Sequence, residues 1–142
     1  MKVFFDTNVL LDLLIHSRPG HDSSKLLLQV AREGVLEGYL STQSIIDAAY
    51  VQTQTNHSGL EGFKESIRII ASILKVVPIE DQDITAANDS KMSDYEDAAQ
   101  LSCAENNGCD ILLTGDKRFQ RYSTMPSYSP QELVKLLFRE EN

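Results

Sequence analysis

Short apolar runs alternate with longer stretches of helical periodicity along the whole chain, which predicts an α/β fold with a mostly parallel sheet. Lys2-Val3-Phe4-Phe5 opens as a strand. A helix is expected from about Asn8 to Ile15, and His16-Ser17-Arg18-Pro19-Gly20 breaks it. The next helix, from roughly Asp22 to Arg32, would bury Leu26, Leu27, Val30 and Ala31 on one face. Gly34 and Gly38 bracket the passage into a short strand ending near Leu40. Ser41 or Thr42 then caps a helix whose apolar face is set by Ile45, Ile46, Ala49 and Tyr50. Asn56-His57-Ser58-Gly59 is the most loop-like stretch.

The second half repeats the pattern. A helix over about Gly62 to Leu74 leads into a strand at Lys75-Val76-Val77-Pro78, and Asp81 to Asn88 forms a short helix. Ser93-Asp94-Tyr95-Glu96 reads as a capping box, with Ser93 at N-cap and Glu96 at N3. It opens a helix to about Asn107, where Gly108 stops it. Ile111-Leu112-Leu113-Thr114 is a buried strand, turned by Gly115 and Asp116. The last helix starts at Ser129-Pro130-Gln131-Glu132, a second capping box with proline at the first helical position. Neither repeats nor a linker interrupt the pattern, so residues 1–142 are expected to form a single domain.

Composition adds limits. The apolar fraction of 42% and charged fraction of 24% are those of an ordinary globular protein, and no segment has the length of a membrane span or the pattern of a signal peptide. A cytoplasmic protein without membrane attachment is the expectation. Cys103 and Cys109 lack zinc-ligand spacing and read as reduced thiols, Cys103 within a helix core. The net charge of −8 argues against a broad grip on nucleic acid, which needs many basic contacts to phosphate. It is compatible with an acidic pocket that holds cations.

The acids carry the candidate chemistry. Asp6 follows the first strand, where open α/β sheets place their ligands. Asp47, Asp94, Asp97 and Asp116 stand at comparable positions, and convergent carboxylates without a counter-ion repel one another, which points to a bound cation. Each acid also has an ordinary reading. Asp6 suits a turn or helix cap, Asp94 gains from a helix N-terminus, Asp116 suits a solvated turn, and Asp47 lies at the edge of its helix's apolar face. Asp97, deeper in its helix beside Ala98 and Leu101, fits a ligand better. One of Thr7 and Asn8 is expected to cap the first helix while the other bonds Asp6 or a metal's water; His16, His21 and His57 read as surface residues.

These motifs resemble the PIN-domain family of metal-dependent ribonucleases, which includes many toxins of bacterial toxin–antitoxin pairs. Asp6-Thr7-Asn8 resembles the family's opening Asp-Thr/Ser-Asn, and Asp94-Tyr95-Glu96-Asp97-Ala98 resembles its Asp-Phe-Glu-Asp-Ala element. Thr114-Gly115-Asp116-Lys117-Arg118-Phe119 resembles Thr-Arg-Asp-Lys-Asp-Phe, with Gly115 in place of an arginine. Ser41-Thr42-Gln43-Ser44-Ile45-Ile46-Asp47 is similar to the segment that normally carries a glutamate, here shortened to Asp47.

The resemblance implies a three-layer α/β/α sandwich around a five-stranded parallel sheet in the order 3-2-1-4-5. It also implies RNA hydrolysis to a 5′-phosphate and a 3′-hydroxyl with Mg²⁺ or Mn²⁺, the ions that oxygen ligands favour. Asp6, Asp97 and Asp116 would hold the principal metal, directly or through waters, with Asp94 and Asp47 completing the cluster or helping to place a second ion, and Thr7, Asn8, Ser41 and Thr114 in support. Lys117, Arg118 and Arg121 form either a small basic rim for RNA or a charged surface turn. A toxin would meet an antitoxin protein and could form a homodimer.

Other readings are weaker. A phosphorelay receiver needs paired acids after the first strand and an acceptor after the third, but Phe5 precedes Asp6 and Val76-Val77-Pro78 offers none. A haloacid-dehalogenase-like phosphatase needs a second aspartate where Asn8 stands. The serious alternative is a PIN-like binding or scaffold module with little catalysis.

Overall fold

The computed structural model describes residues 1–54 and 59–139. The loop expected at Asn56, His57 and Ser58 therefore lies outside the described residues, as does any placement of His57. Five strands, β1 (Lys2–Phe5), β2 (Glu37–Ser41), β3 (Lys75–Val77), β4 (Ile111–Leu113) and β5 (Ser127–Tyr128), form one parallel sheet in the order β3-β2-β1-β4-β5. Among the described residues, eight helices accompany them: α1 (Thr7–Leu14), α2 (His21–Arg32), α3 (Thr42–Gln54), α4 (Leu60–Ile73), α5 (Asp81–Asp89), α6 (Tyr95–Asn106), α7 (Lys117–Tyr122) and, after β5, α8 (Pro130–Leu137). The expected fold is the observed one. Among the described residues, no helix is long and apolar enough to cross a membrane.

Strand side chains alternate between faces, so each central strand must be apolar on both sides if helices cover both. Val3 and Phe5 point into one core with Leu40, Ile111 and Leu113, against Val9, Leu10, Leu27, Phe63, Ile70 and Leu133. Phe4, Tyr39, Val77 and Leu112 point the other way, against Leu101, Cys103, Ala104 and Phe119 of α6 and α7. Phe4 and Phe5 are fully buried on opposite faces, each worth about 1.5–3 kcal/mol of transfer free energy. Cys103 lies in the α6 core as expected, and both cysteines are free.

Glycine matters at two close approaches. Gly38 lies within β2, not before it, and a side chain there would run into Leu74. Gly20, before α2, lies against the Asp12 carboxylate, which a methyl group would displace. Asp12 is buried and ion-paired with Arg18 at 2.8 Å. His21 is a correction: it is buried, its Nδ1 pairs with the Asp12 carbonyl oxygen at 2.8 Å, and its ring packs on exposed His16. The α1–α2 corner folds back on itself and encloses His21, which the polar neighbourhood in sequence did not reveal.

Candidate functional site

Strand order reverses between β2-β1 and β1-β4, and the crevice beyond their carboxyl ends is the usual ligand position of such sheets. Asp6 follows β1 there and is buried. Its Oδ1 accepts a hydrogen bond from the Thr7 N–H at 2.8 Å and serves as the cap of α1. Neither Thr7 nor Asn8 supplies that cap, contrary to expectation, because Asp6 itself occupies the N-cap. Asp6 Oδ2 accepts from Asn8 Nδ2 at 2.9 Å and from the Thr114 hydroxyl at 2.8 Å. The Thr114 hydroxyl in turn accepts from the Asp116 N–H at 3.1 Å, and Asn8 Oδ1 accepts from the Gly115 N–H at 3.0 Å. The ends of β1 and β4 are thus laced together around Asp6.

Asp116 is the N-cap of α7, its Oδ1 accepting from the Arg118 and Phe119 N–H groups. On α6 the cap is Asp94, not Ser93: Asp94 Oδ1 accepts from the Asp97 N–H at 3.0 Å. Aspartate caps as well as serine does, and the helix starts one residue later than the Ser-x-x-Glu spacing suggested. Asp97 therefore stands at N3 and Glu96 at N2. Asp47 accepts from Gln43 Nε2 at 2.9 Å and shares a carboxyl–carboxyl hydrogen bond with Glu96.

Behind the acids lies a buried hydroxyl and amide network. Ser41 Oγ accepts from the Ser44 N–H and donates to Ser44 Oγ, so Ser41 acts through the start of α3. Thr7 and Ser44 hydroxyls meet at 2.7 Å, and Gln100 Nε2 donates to both. The α3 face also differs from expectation. Ser44 and Ala48 are the buried residues, whereas Ile46 and Tyr50 are each 65% exposed, because small side chains let α3 approach this network closely.

The electrostatics are those of crowded acids. Burial, then Asp116 and Asp94, pushes the Asp6 carboxyl up to about 6, although hydrogen bonds from Thr114 and Thr7 oppose the rise. Burial and the charges of Asp6, Asp94 and Asp116 raise Asp97 to about 7. Burial, the Asp47 hydrogen bond and neighbouring acids raise Glu96 to about 8. Every charge behind these shifts is another carboxylate. Such an all-oxygen, unneutralised donor set suits a hard divalent cation in its chemistry. In distance it is not closed: among the described residues, no three acidic, histidine or cysteine side chains stand close enough to hold an ion together.

A cleft of about 480 Å³ opens beside the cluster, lined in part by Asn8, Arg18, Gly115, Asp116 and Lys117. Lys117 reaches it; Arg118 and Arg121 are exposed on α7 outside its lining. Sequence reasoning missed Glu96, Ser44, Gln100 and Arg18. Glu96 and Ser44 lay within quoted motifs, whereas Gln100 sits one turn beyond Asp97, and Arg18 was read only within a helix break.

A family model described as PIN domain matches residues 2–118. The chain is 27% identical over 146 residues to Ribonuclease VapC1 of Aquifex aeolicus (strain VF5), covering 99% of this chain and 92% of that protein. Among solved structures, VapBC2 of Rickettsia felis, bound to a promoter DNA fragment, matches with TM-score 0.69 at 13% identity, covering 91% of this chain and 98% of that one. Mycobacterium tuberculosis VapC20, described as a sarcin-ricin loop cleaving toxin, matches with TM-score 0.66 at 13% identity, covering 84% and 93%. At these identities the structural matches speak to the fold.

Proposed function

Because the chain belongs to the PIN-domain family, we propose that it is a metal-dependent endoribonuclease and the toxin of a toxin–antitoxin pair. The observation that carries this reading is the gathering of acids at one crevice, where Asp116 and Asp94 help to raise the Asp6 carboxyl and Asp6, Asp94 and Asp116 help to raise that of Asp97. The relative named a ribonuclease supports the substrate class. Asp6, Asp97 and Asp116 would hold Mg²⁺ or Mn²⁺, with Asp94 alongside and Asp47 reaching the cluster through Glu96. The ion would activate the attacking water and offset charge on the phosphate and the departing oxygen.

The remaining work falls to the protein's own groups. Thr114 and Asn8 hold Asp6 Oδ2 at fixed geometry, so its carboxylate needs no reorganisation when substrate arrives. Asp94 and Asp116 each commit Oδ1 to a helix start, which fixes the direction of the whole side chain. Lys117 and Arg18 line the adjacent cleft and would meet the RNA backbone there; Arg118 and Arg121 would contribute only from its margin. The product would carry a 5′-phosphate. We take residues 1–142 to act as one domain in the cytoplasm, with an antitoxin and a second copy of the chain as partners.

The test is cleavage of structured RNAs by purified protein with Mg²⁺ or Mn²⁺, alongside Asp6→Asn. The variant should lose at least ~10²-fold in rate; equal cleavage by both proteins would overturn the assignment. A second reading, a PIN-like scaffold with weak catalysis, draws on one observation: Asp47 is engaged by Gln43 and Glu96. Calorimetric titration separates the two, since a scaffold would take up neither ion at millimolar concentration.

A further inference from the structure

Asp12 is a buried acid to which the proposed chemistry gives no task. It lies on α1 beyond Asp6 and lines the cleft beside the metal acids. Its carboxylate accepts from Arg18 Nε at 2.8 Å and from Ser24 Oγ at 3.3 Å, and its carbonyl oxygen pairs with His21 Nδ1. Gly20 closes over it. The backbone at Gly20 has φ of −86° and ψ of 0°, which any residue adopts, so glycine is needed there for room and not for conformation. A side chain would run into the Asp12 carboxylate. A buried ion pair adds little net stability over apolar packing, so stability alone is a weak reason for building one here.

What the pair fixes is the pose of Arg18. Asp12 grips Nε on one edge of the guanidinium, and Nη2 donates to the Asn8 carbonyl oxygen at 3.3 Å. Among the described residues these bonds occupy two of its five N–H groups, which leaves three for a ligand. The group is reachable from solvent. The Arg18 side chain is 34% exposed, against 9% for Asp12, and it lines the cleft of about 480 Å³ with Lys117 and Asp116. Other acids of this cleft are engaged: Glu132 Oε1 accepts from the Ser129 N–H and from Gln120 Nε2, and Asp116 Oδ1 accepts from the start of α7.

We propose that Arg18, with Lys117, holds the RNA phosphate next to the one that is cut, and that Asp12, packed under Gly20, is the positioning residue that fixes Arg18 for this contact. This rests on the ribonuclease reading above. A guanidinium is planar and always charged, and its fork matches phosphate oxygens in pairs. Asp116 and the two cations share one cleft, so a strand whose cut phosphate meets Asp116 carries its neighbouring phosphate past Arg18. Arg18 is not among the charges that perturb Asp6 and Asp97, all of which are carboxylates, and this favours the neighbouring phosphate over the cut one. Contacts to phosphate set register and carry no sequence information, so the effect of losing them should be alike for every RNA cleaved.

Dimethyl phosphate, a phosphodiester without sugar or base, tests this without metal or cleavage. Isotope-labelled protein in a chelator is titrated with it and followed by NMR, with sodium acetate as a monoanion of equal charge. Dimethyl phosphate should shift the Arg18 Nε–H and the Lys117 amide together, and Arg18→Gln should weaken its binding ~5-fold or more. Arg18→Lys keeps the charge without the fork and should fall between the two. Gly20→Ala keeps every charge and displaces the Asp12 carboxylate. It should weaken binding ~3-fold or more in the parent yet add nothing in Arg18→Gln, and Asp12→Asn should do the same. In RNA cleavage, Arg18→Gln should raise KM ~5-fold with kcat within ~2-fold, because a flanking phosphate is bound alike before and during the reaction. Shifts that acetate reproduces, or no response at Arg18, would overturn the proposal. Equal effects of Gly20→Ala and Asp12→Asn in both backgrounds would overturn the role of Asp12. Binding of dimethyl phosphate by a protein that cleaves no RNA would sink the ribonuclease reading and leave the phosphate site standing, whereas cleavage with an unchanged KM in Arg18→Gln would do the reverse.

Discussion

Asp6 is asked to be both buried and charged, and Thr114 is what makes that tolerable. Its hydroxyl donates to Asp6 Oδ2 and accepts from Asn8 Nδ2 and the Asp116 N–H. Thr114→Val removes all three and should cost about 1–3 kcal/mol in urea unfolding, whereas Thr114→Ser should stay close to the parent. The raised carboxyls set a pH dependence for the metal-free protein. A carboxyl whose folded pKa exceeds its unfolded value binds protons more tightly when folded. The resulting stability is fully present below about pH 4 and is lost as pH rises through about 6 for Asp6, 7 for Asp97 and 8 for Glu96. For Asp6 alone, a rise from 3.8 to about 6 corresponds to at most ~3 kcal/mol. In a chelator the thermal midpoint should therefore fall between about pH 5 and pH 8.5. Millimolar Mn²⁺ should restore it most at the alkaline end, since a cation bound only by the folded state stabilises it by mass action. A midpoint that is flat or rises with pH in chelator would contradict this account.

At the scale of elements, the start of α6 shows how closely capping and chemistry are combined. Serine, aspartate and glutamate crowd residues 93–97, and several registers of the first turn are locally reasonable. The structure selects Asp94 as cap, which brings Asp97 to the crevice and turns Glu96 toward Asp47. Asp94→Ala should cost about 1 kcal/mol of stability, Asp94→Asn much less, and Ser93→Ala almost nothing. If Asp94 also serves the metal, Asp94→Asn keeps the helix yet lowers Mn²⁺ affinity, which calorimetry would register. Unchanged stability in Asp94→Ala would show that the cap lies elsewhere. Other elements were plain in the sequence. The four longer strands and the Ser129 capping box stand where the pattern put them, because burial on both faces leaves a continuous apolar run and a cap leaves a local motif. The faces of α3 were not, since periodicity finds an apolar stripe without saying whether it is covered.

For the whole molecule, that uncovered stripe has a consequence. Ile46, Tyr50 and Val51 on α3 are 65%, 65% and 46% exposed, an unusual amount of apolar surface for one helix. If the chain pairs with itself or an antitoxin, this surface is the first candidate for burial. The double change Ile46→Lys and Tyr50→Lys should lower the mass seen by light scattering to that of a single chain. An unchanged mass relative to the parent would argue against α3 as the interface. The sequence alone determined the fold class and the ordered acids, because strand burial, helix capping and the spacing of Asp6, Asp94, Asp97 and Asp116 are local properties of the chain. Only the tertiary structure decided which groups meet. Thr114 reaches Asp6 across 108 residues and Gln100 reaches Thr7 across 93, and the Asp47–Glu96 pair depends on how α3 packs near α6. Such contacts arise from strand order and helix docking, which no local pattern encodes, and they govern whether these acids are merely numerous or jointly able to act.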